Sequence, residues 1–237
     1  MRILFVVAHP DDIDFACGGS VARWADDGDE VSYCIVTDGD AGGFDEAVTR
    51  VDMATLRRRE QRSAADVLGA KEIDWLGHPD GRLYVTHAVR RDIVRSVRRH
   101  RPDRVVVQSP TRNLRNMFGS HPDHTAAGEA AMCAIYPDAR NPFAHPELLA
   151  DEGLEAWTVA ETWVMNPGEG ADVYVDVTAQ VDRKIDALRA HESQTAHMDD
   201  LADRIQKWGH AQAKAAGWAS EEGDRRYAEG YLVLDTR

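Results

Sequence analysis

From Ile3 to Ala8 the chain runs Ile-Leu-Phe-Val-Val-Ala without a polar residue, and His9-Pro10 ends the run. A strand with one face in water would alternate. An unbroken apolar run of this length instead fits a strand covered on both faces, as in a parallel sheet. It is expected to be the first and central strand. A helical pattern over 20–25, led in by Gly18 and Gly19, and a β-rich run over 30–37 then complete a β-α-β unit.

The alternation continues with a helix over 55–69, capped by Gly69, and a strand over 72–76. A helix over 87–100 carries Val89, Ile93, Val94 and Val97 at helical spacing, and a strand over 104–108 follows Pro102. The stretch 38–45 is Gly- and Asp-rich and reads as a loop, and 137–153 as Pro-rich and irregular. Further strands are expected over 156–164, 172–177 and 231–234, with helices beginning at 122 and over 180–191 and 198–216. The fold class is therefore α/β, a Rossmann-like three-layer sandwich with a mostly parallel central sheet. The 237 residues suit one domain, 1–237, with no visible repeat or linker.

Lys+Arg 28 against Asp+Glu 41 gives a net charge of −13, which repels nucleic acid and anionic membrane surfaces. The expected partner is a small neutral or cationic molecule; association with further copies of the chain stays open. The basic runs 57–59 with Arg62, and 90–101, read as solvated helix faces. Cys17, Cys34 and Cys133 have no close spacing, so neither a disulfide framework nor a cysteine zinc site is indicated. The apolar N-terminal run is far shorter than a membrane span, and no small-residue cleavage site follows it, so a cytoplasmic protein is expected.

Two polar clusters carry the chemistry. Ala8-His-Pro-Asp-Asp12 follows the first strand, and Ser120-His-Pro-Asp-His124 follows the fourth and opens the next helix. In a doubly wound sheet of order 3-2-1-4-5 these strands are neighbours at the topological switch point, so the two clusters face each other across the ligand crevice. A catalytic zinc takes about three N/O ligands and keeps a position open for water. His9, Asp12 and His124 could supply two imidazoles and a carboxylate. Asp11, His121 and Asp123 then remain for the base, the acid and the residue orienting that acid in metal-assisted hydrolysis. Either cluster alone is ordinary turn and cap chemistry. Their joint placement is what points to a site.

These motifs resemble the zinc signatures of the PIG-L/LmbE-like family of N-acetylglucosaminyl deacetylases and amidases. The resemblance extends to Arg57-Arg-Arg-Glu60, the Pro79-Asp80-Gly81 turn and Ala187-Leu-Arg-Ala-His-Glu-Ser-Gln194. It implies an LmbE-like fold, with zinc or another divalent ion held by His9, Asp12 and His124. By the same resemblance, Asp11 is the general base, and His121 stabilises the oxyanion and protonates the departing amine, with Asp123 orienting its ring. Arg57 and Asp80 would bind substrate. The implied activity is removal of an N-acetyl or other N-acyl group from an amino sugar or N-acetylglucosamine conjugate. An amidase acting on a thiol conjugate or an acylated natural product is the alternative, and a non-catalytic metal- or carbohydrate-binding module is the rival outside enzymology. A dinucleotide role is disfavoured, because no G-x-G-x-x-G follows the first strand and the carboxylates there would repel a pyrophosphate. The stretch 113–119, where the family varies, carries no substrate assignment, and a lone helix histidine such as His191 is more often structural than catalytic, so its contribution to the site stays open.

Overall fold

The computed structural model describes every residue except 115, 116, 118, 119, 168, 169 and 221–223. The apolar run forms β1 (Arg2–Val7), and its neighbours are β2 (Glu30–Thr37) and β4 (Arg104–Val107), both parallel to it. With β3 (Ile73–His78), β5 (Glu161–Met165), β6 (Val173–Asp176) and β7 (Ala228–Asp235), the sheet order is β3-β2-β1-β4-β5-β7-β6. The first five strands are parallel, and β7 runs antiparallel between β5 and β6.

Side chains alternate across a strand, so β1 feeds two cores. Ile3, Phe5 and Val7 pack with Val21 and Trp24 of α1 (Asp12–Asp26) and Leu68 of α2 (Arg50–Leu68). Leu4, Val6 and Ala8 pack with Val94 and Val97 of α3 (His87–His100) and Ala127 and Ala131 of α4 (Pro122–Cys133). Two apolar layers on one strand are why its sequence shows no period. The remaining helices are α5 (Pro146–Glu152), α6 (Val181–Arg189), α7 (Glu192–Thr195) and α8 (Leu201–Ala215). Among the described residues, no helix is long and apolar enough to cross a membrane.

The structure departs from the sequence expectations in several places. Helix α1 starts at Asp12, ahead of Gly18 and Gly19, because these glycines permit close packing instead of breaking the helix: a Cβ on Gly19 would lie 2.6 Å from Val177 Cβ. Helix α2 starts at Arg50, where the Thr49 side chain accepts from the Asp52 N–H as an N-cap. The stretch expected to be irregular contains α5 and overlaps a π-helical turn, Ala134–Ala139. Arg98 organises it: only 1% exposed, its guanidinium donates to the carbonyls of Asp138, Ala139, Asn141 and Ala144. Arg98 therefore belongs to no solvated face, and neither does Arg57, at 4% exposure. The last strand is longer than expected, and its Tyr231 is fully buried.

Gly128 sets how closely α4 approaches the end of β4, since a Cβ there would collide with the Gln108 carbonyl and lie 3.0 Å from Pro110 N. Gly128→Ala would gain about 1 kcal/mol of helix propensity. A valine loses most of that gain and adds bulk, and overpacking against backbone costs roughly 1–3 kcal/mol. Gly128→Val is expected to lower the urea midpoint at unchanged m-value; an unchanged midpoint would show that the contact is slack.

Candidate active site

Residues 8–12, 120–124 and the turns after β2 and β3 meet at the C-terminal edge of the sheet, beside the β1/β4 switch point. His9 is 7% exposed and its two ring nitrogens face different groups. Nδ1 lies 3.5 Å from Asp12 Oδ2 and 3.2 Å from His124 Nε2, while His124 Nε2 lies 3.0 Å from Asp12 Oδ1. A tetrahedral ion with bonds near 2.0–2.1 Å separates its ligand atoms by about 3.3 Å. Asp12 turns one oxygen to each ring, so the three groups lie near that spacing without one carboxylate atom facing both, and their donor chemistry is that of a divalent-cation site. Burial disfavours a charged Asp12 carboxylate, yet His124 and His9 hold its pKa well below the usual range. Burial likewise opposes charge on His9, but Asp12, Asp123 and Asp80 push its pKa well above the ordinary value. That field would favour a bound cation in the same way.

The other face of His9 explains Asp80 and Asp123. Its Nε2 lies 3.1 Å from Asp80 Oδ1 and 3.3 Å from Asp123 Oδ2. With Nδ1 turned to a metal, Nε2–H would donate to these carboxylates, the usual outer support of a ligating histidine. Asp123 is only 1% exposed and accepts the N–H groups of Gly81 at 2.7 Å and Leu83 at 3.2 Å, so it also anchors the Pro79-Asp80-Gly81 turn. Asp80 Oδ2 accepts the Ala41 N–H, and the Asp80 N–H donates to Asp40. Both Asp80 oxygens thus have protein partners.

His121 is the N-cap of α4, and its ring lies with centroids 4.9 Å from His9 and 5.4 Å from His124. Its Nδ1 accepts the Asp123 backbone N–H at 3.2 Å. The expected contact between the Asp123 carboxylate and the His121 ring is replaced by this backbone one, because the carboxylate is turned to His9. The cap leaves Nε2 as the proton-bearing nitrogen. Burial lowers the His121 pKa, the imidazoles of His9 and His124 lower it further, and the opposing pull of Asp123 is smaller. With Nδ1 accepting in the cap, the ring donates through Nε2–H.

Asp11 opens α1 with φ 84, a left-handed conformation uncommon outside glycine. Arg57 holds it: Nη2 donates to Pro10 O at 2.7 Å and lies 3.1 Å from Asp11 Oδ2, and Nη1 donates to Gly39 O at 2.9 Å. Burial raises the Asp11 pKa against the pull of Arg57, and Asp12 adds to the rise. Arg57 engages the protein, where sequence reasoning has it reach substrate. The loop 113–119, which carries no substrate assignment, lies partly outside the described residues.

Fold and site together define a Rossmann-like α/β protein with a His/Asp cluster that could hold a metal ion at its switch point. Residues 4–135 match the family model described as PIG-L, GlcNAc-PI de-N-acetylase, and the chain belongs to that family. It is 29% identical over 229 residues to a diacetylchitobiose deacetylase from Thermococcus kodakarensis, covering 97% of this chain and 81% of the relative. A 1D-myo-inositol 2-acetamido-2-deoxy-alpha-D-glucopyranoside deacetylase from Rhodococcus jostii is 32% identical, with 81% of each chain covered. Among solved structures, the N,N′-diacetylchitobiose deacetylase from Pyrococcus horikoshii, in complex with its inhibitor, superposes with TM-score 0.87 at 28% identity, covering 99% of this chain and 84% of that one. The three-layer arrangement is thus the one seen in LmbE-like deacetylases.

Proposed function

We propose that this chain removes the N-acetyl group of a small N-acetylglucosamine conjugate, using zinc held by His9, Asp12 and His124. The observation that carries the reading is the convergence of those three groups at 3.0–3.5 Å, beside a partly buried Asp11 fixed by an arginine. Two imidazoles and a carboxylate suit zinc, and iron, manganese, nickel or cobalt could replace it in such a mixed set. A divalent ion held there would supply Lewis-acid chemistry for the amide carbonyl and lower the pKa of a water. Asp11 takes the water's proton as the new C–O bond forms. His121 Nε2–H then faces the developing oxyanion, and its capped ring suits a hydrogen-bond donor. With His121 in that role, the proton that Asp11 has gained is the one available for the amine when the C–N bond breaks. Asp123 and Asp80 support His9, and Arg57 supports Asp11.

The whole chain, 1–237, is read as one domain, supported by a single sheet to which both halves contribute strands. A cytoplasmic location is part of the same proposal; Cys17 and Cys34 are buried and free, and Cys133 is free and partly exposed.

The test is a panel of N-acetyl amino sugars, N-acylated glycopeptides and thiol-conjugate amides, incubated with metal-loaded and with chelator-stripped protein and scored for free amine. About one divalent ion per chain by elemental analysis is expected, with amine released from the amino sugars and lost on stripping. Turnover of the other amides alone would move the substrate assignment, and a metal-free protein with full activity would remove the proposal.

A further inference from the structure

We infer that Gln61 is a positioning residue for the reaction: together with Arg57 it clamps the Pro10–Asp11 peptide, and a buried Asp14–His191 pair sets which way its amide points. The inference rests on the reading of Asp11 as the general base. Left-handed backbone at a non-glycine residue costs on the order of 1–3 kcal/mol and persists only where the surroundings over-determine it. Here the two ends of one peptide group are held by two residues of α2. The Pro10 carbonyl accepts from Arg57 Nη2 at 2.7 Å, and the Asp11 N–H donates to Gln61 Oε1 at 2.7 Å. Arg57 and Gln61 are four residues apart, on the same face of the helix. Rotation of that peptide would swing the Asp11 side chain.

A glutamine amide fits its site two ways round, and only one presents oxygen to Asp11. Gln61 is fully buried, and its Nε2 donates to Asp14 Oδ2 at 2.8 Å. That oxygen also lies 3.0 Å from His191 Nε2, with Asp14 and His191 both at 0% exposure. The His191 segment is tied to α2 in turn: Ser193 N–H and Oγ donate to the two oxygens of Glu60, at 2.8 and 2.7 Å. Asp14 Oδ1 and His191 Nδ1 have no partner among the described residues. Buried polar atoms left unpaired cost about 1–3 kcal/mol each, so the pair is a poor stabilising device. Its geometric consequence is that the Gln61 amide cannot flip without opposing Nε2 to the Asp11 N–H and its oxygen to the Asp14 carboxylate.

The experiment uses the metal-loaded full chain with N,N′-diacetylchitobiose as probe. Gln61→Met keeps the bulk and removes both hydrogen bonds. Its kcat is expected to fall about 10–100-fold, the scale of a misplacement near 1 Å, with KM and metal affinity within about twofold of the parent. Gln61→Glu sets two carboxylates against each other and should lose as much. Adding Asp14→Asn to it reverses the direction of that bond, since the side-chain amide so introduced can donate both to the new carboxylate and to a neutral His191. The double variant should therefore recover to within about fivefold of the parent. A crystal structure of Gln61→Met gives a readout apart from activity, with Asp11 expected to leave the left-handed region. Unchanged kcat in Gln61→Met, an unmoved Asp11, a double variant no better than Gln61→Glu, or a rate loss matched by loss of metal would each overturn the inference. Asp11→Asn, assayed in parallel, separates the levels. If it is inactive while Gln61→Met is fully active, only the inference fails; if it is fully active, the general-base reading fails and takes the inference with it.

Discussion

Asp11→Asn is expected to lower kcat by about 10²–10⁴ in metal-loaded protein, with the metal content unchanged. Asparagine is nearly the same shape, and its side-chain oxygen can still accept from Arg57, which lies 3.1 Å from Asp11 Oδ2. What it cannot do is take a proton from water. Asp12 is no substitute, since its two oxygens face His9 and His124. At about 1.4 kcal/mol per decade, the loss corresponds to roughly 3–5 kcal/mol of transition-state stabilisation. Single-turnover amine release and elemental analysis on the same sample check it. Nearly full kcat with metal bound would return Asp11 to a purely structural role.

His121→Ala is expected to cost about 10²–10³ in kcat, the scale seen when one oxyanion donor is removed, and to leave metal affinity unchanged. The competing account makes His121 a further ligand. It has a geometric basis, because ligand atoms of His9, His121 and His124 lie within 4.8 Å of one another. Against it, Nδ1 is already occupied by the Asp123 N–H, and a fourth protein ligand would close the position that water needs. Metal titration of His121→Ala decides: weakened binding would establish ligation. His121→Gln should retain part of the rate, because a neutral amide N–H can serve as donor.

The contrast between His9 and Asp123 shows where sequence reasoning stops. Motif spacing places both residues in one crevice, because strand ends in a parallel sheet carry the ligand and β1 and β4 are neighbours. Spacing does not say which oxygen faces which ring. Asp123 is two residues from His121, yet its carboxylate lies on His9, more than a hundred residues away in sequence, because Gly81 and Leu83 offer it N–H groups there. Arg57 similarly reads as part of a charged helix face until the Pro10 and Gly39 carbonyls are seen around it. Gln61 had one available signal, its position one turn after Arg57. Nothing local linked it to Asp14 or His191.

Periodicity and turn chemistry encode the doubly covered first strand, the β-α alternation, and two His/Asp clusters at strand ends. Those are local properties, set by how each residue type behaves within a few neighbours, and they can be read along the chain. The antiparallel insertion of β7, the burial of Arg57 and Arg98, and the pairing of each ring nitrogen and carboxylate oxygen emerge only in three dimensions. These depend on which buried donors and acceptors meet once the layers close. A buried polar atom must find its partner from any part of the chain, and sequence distance places no limit on that search.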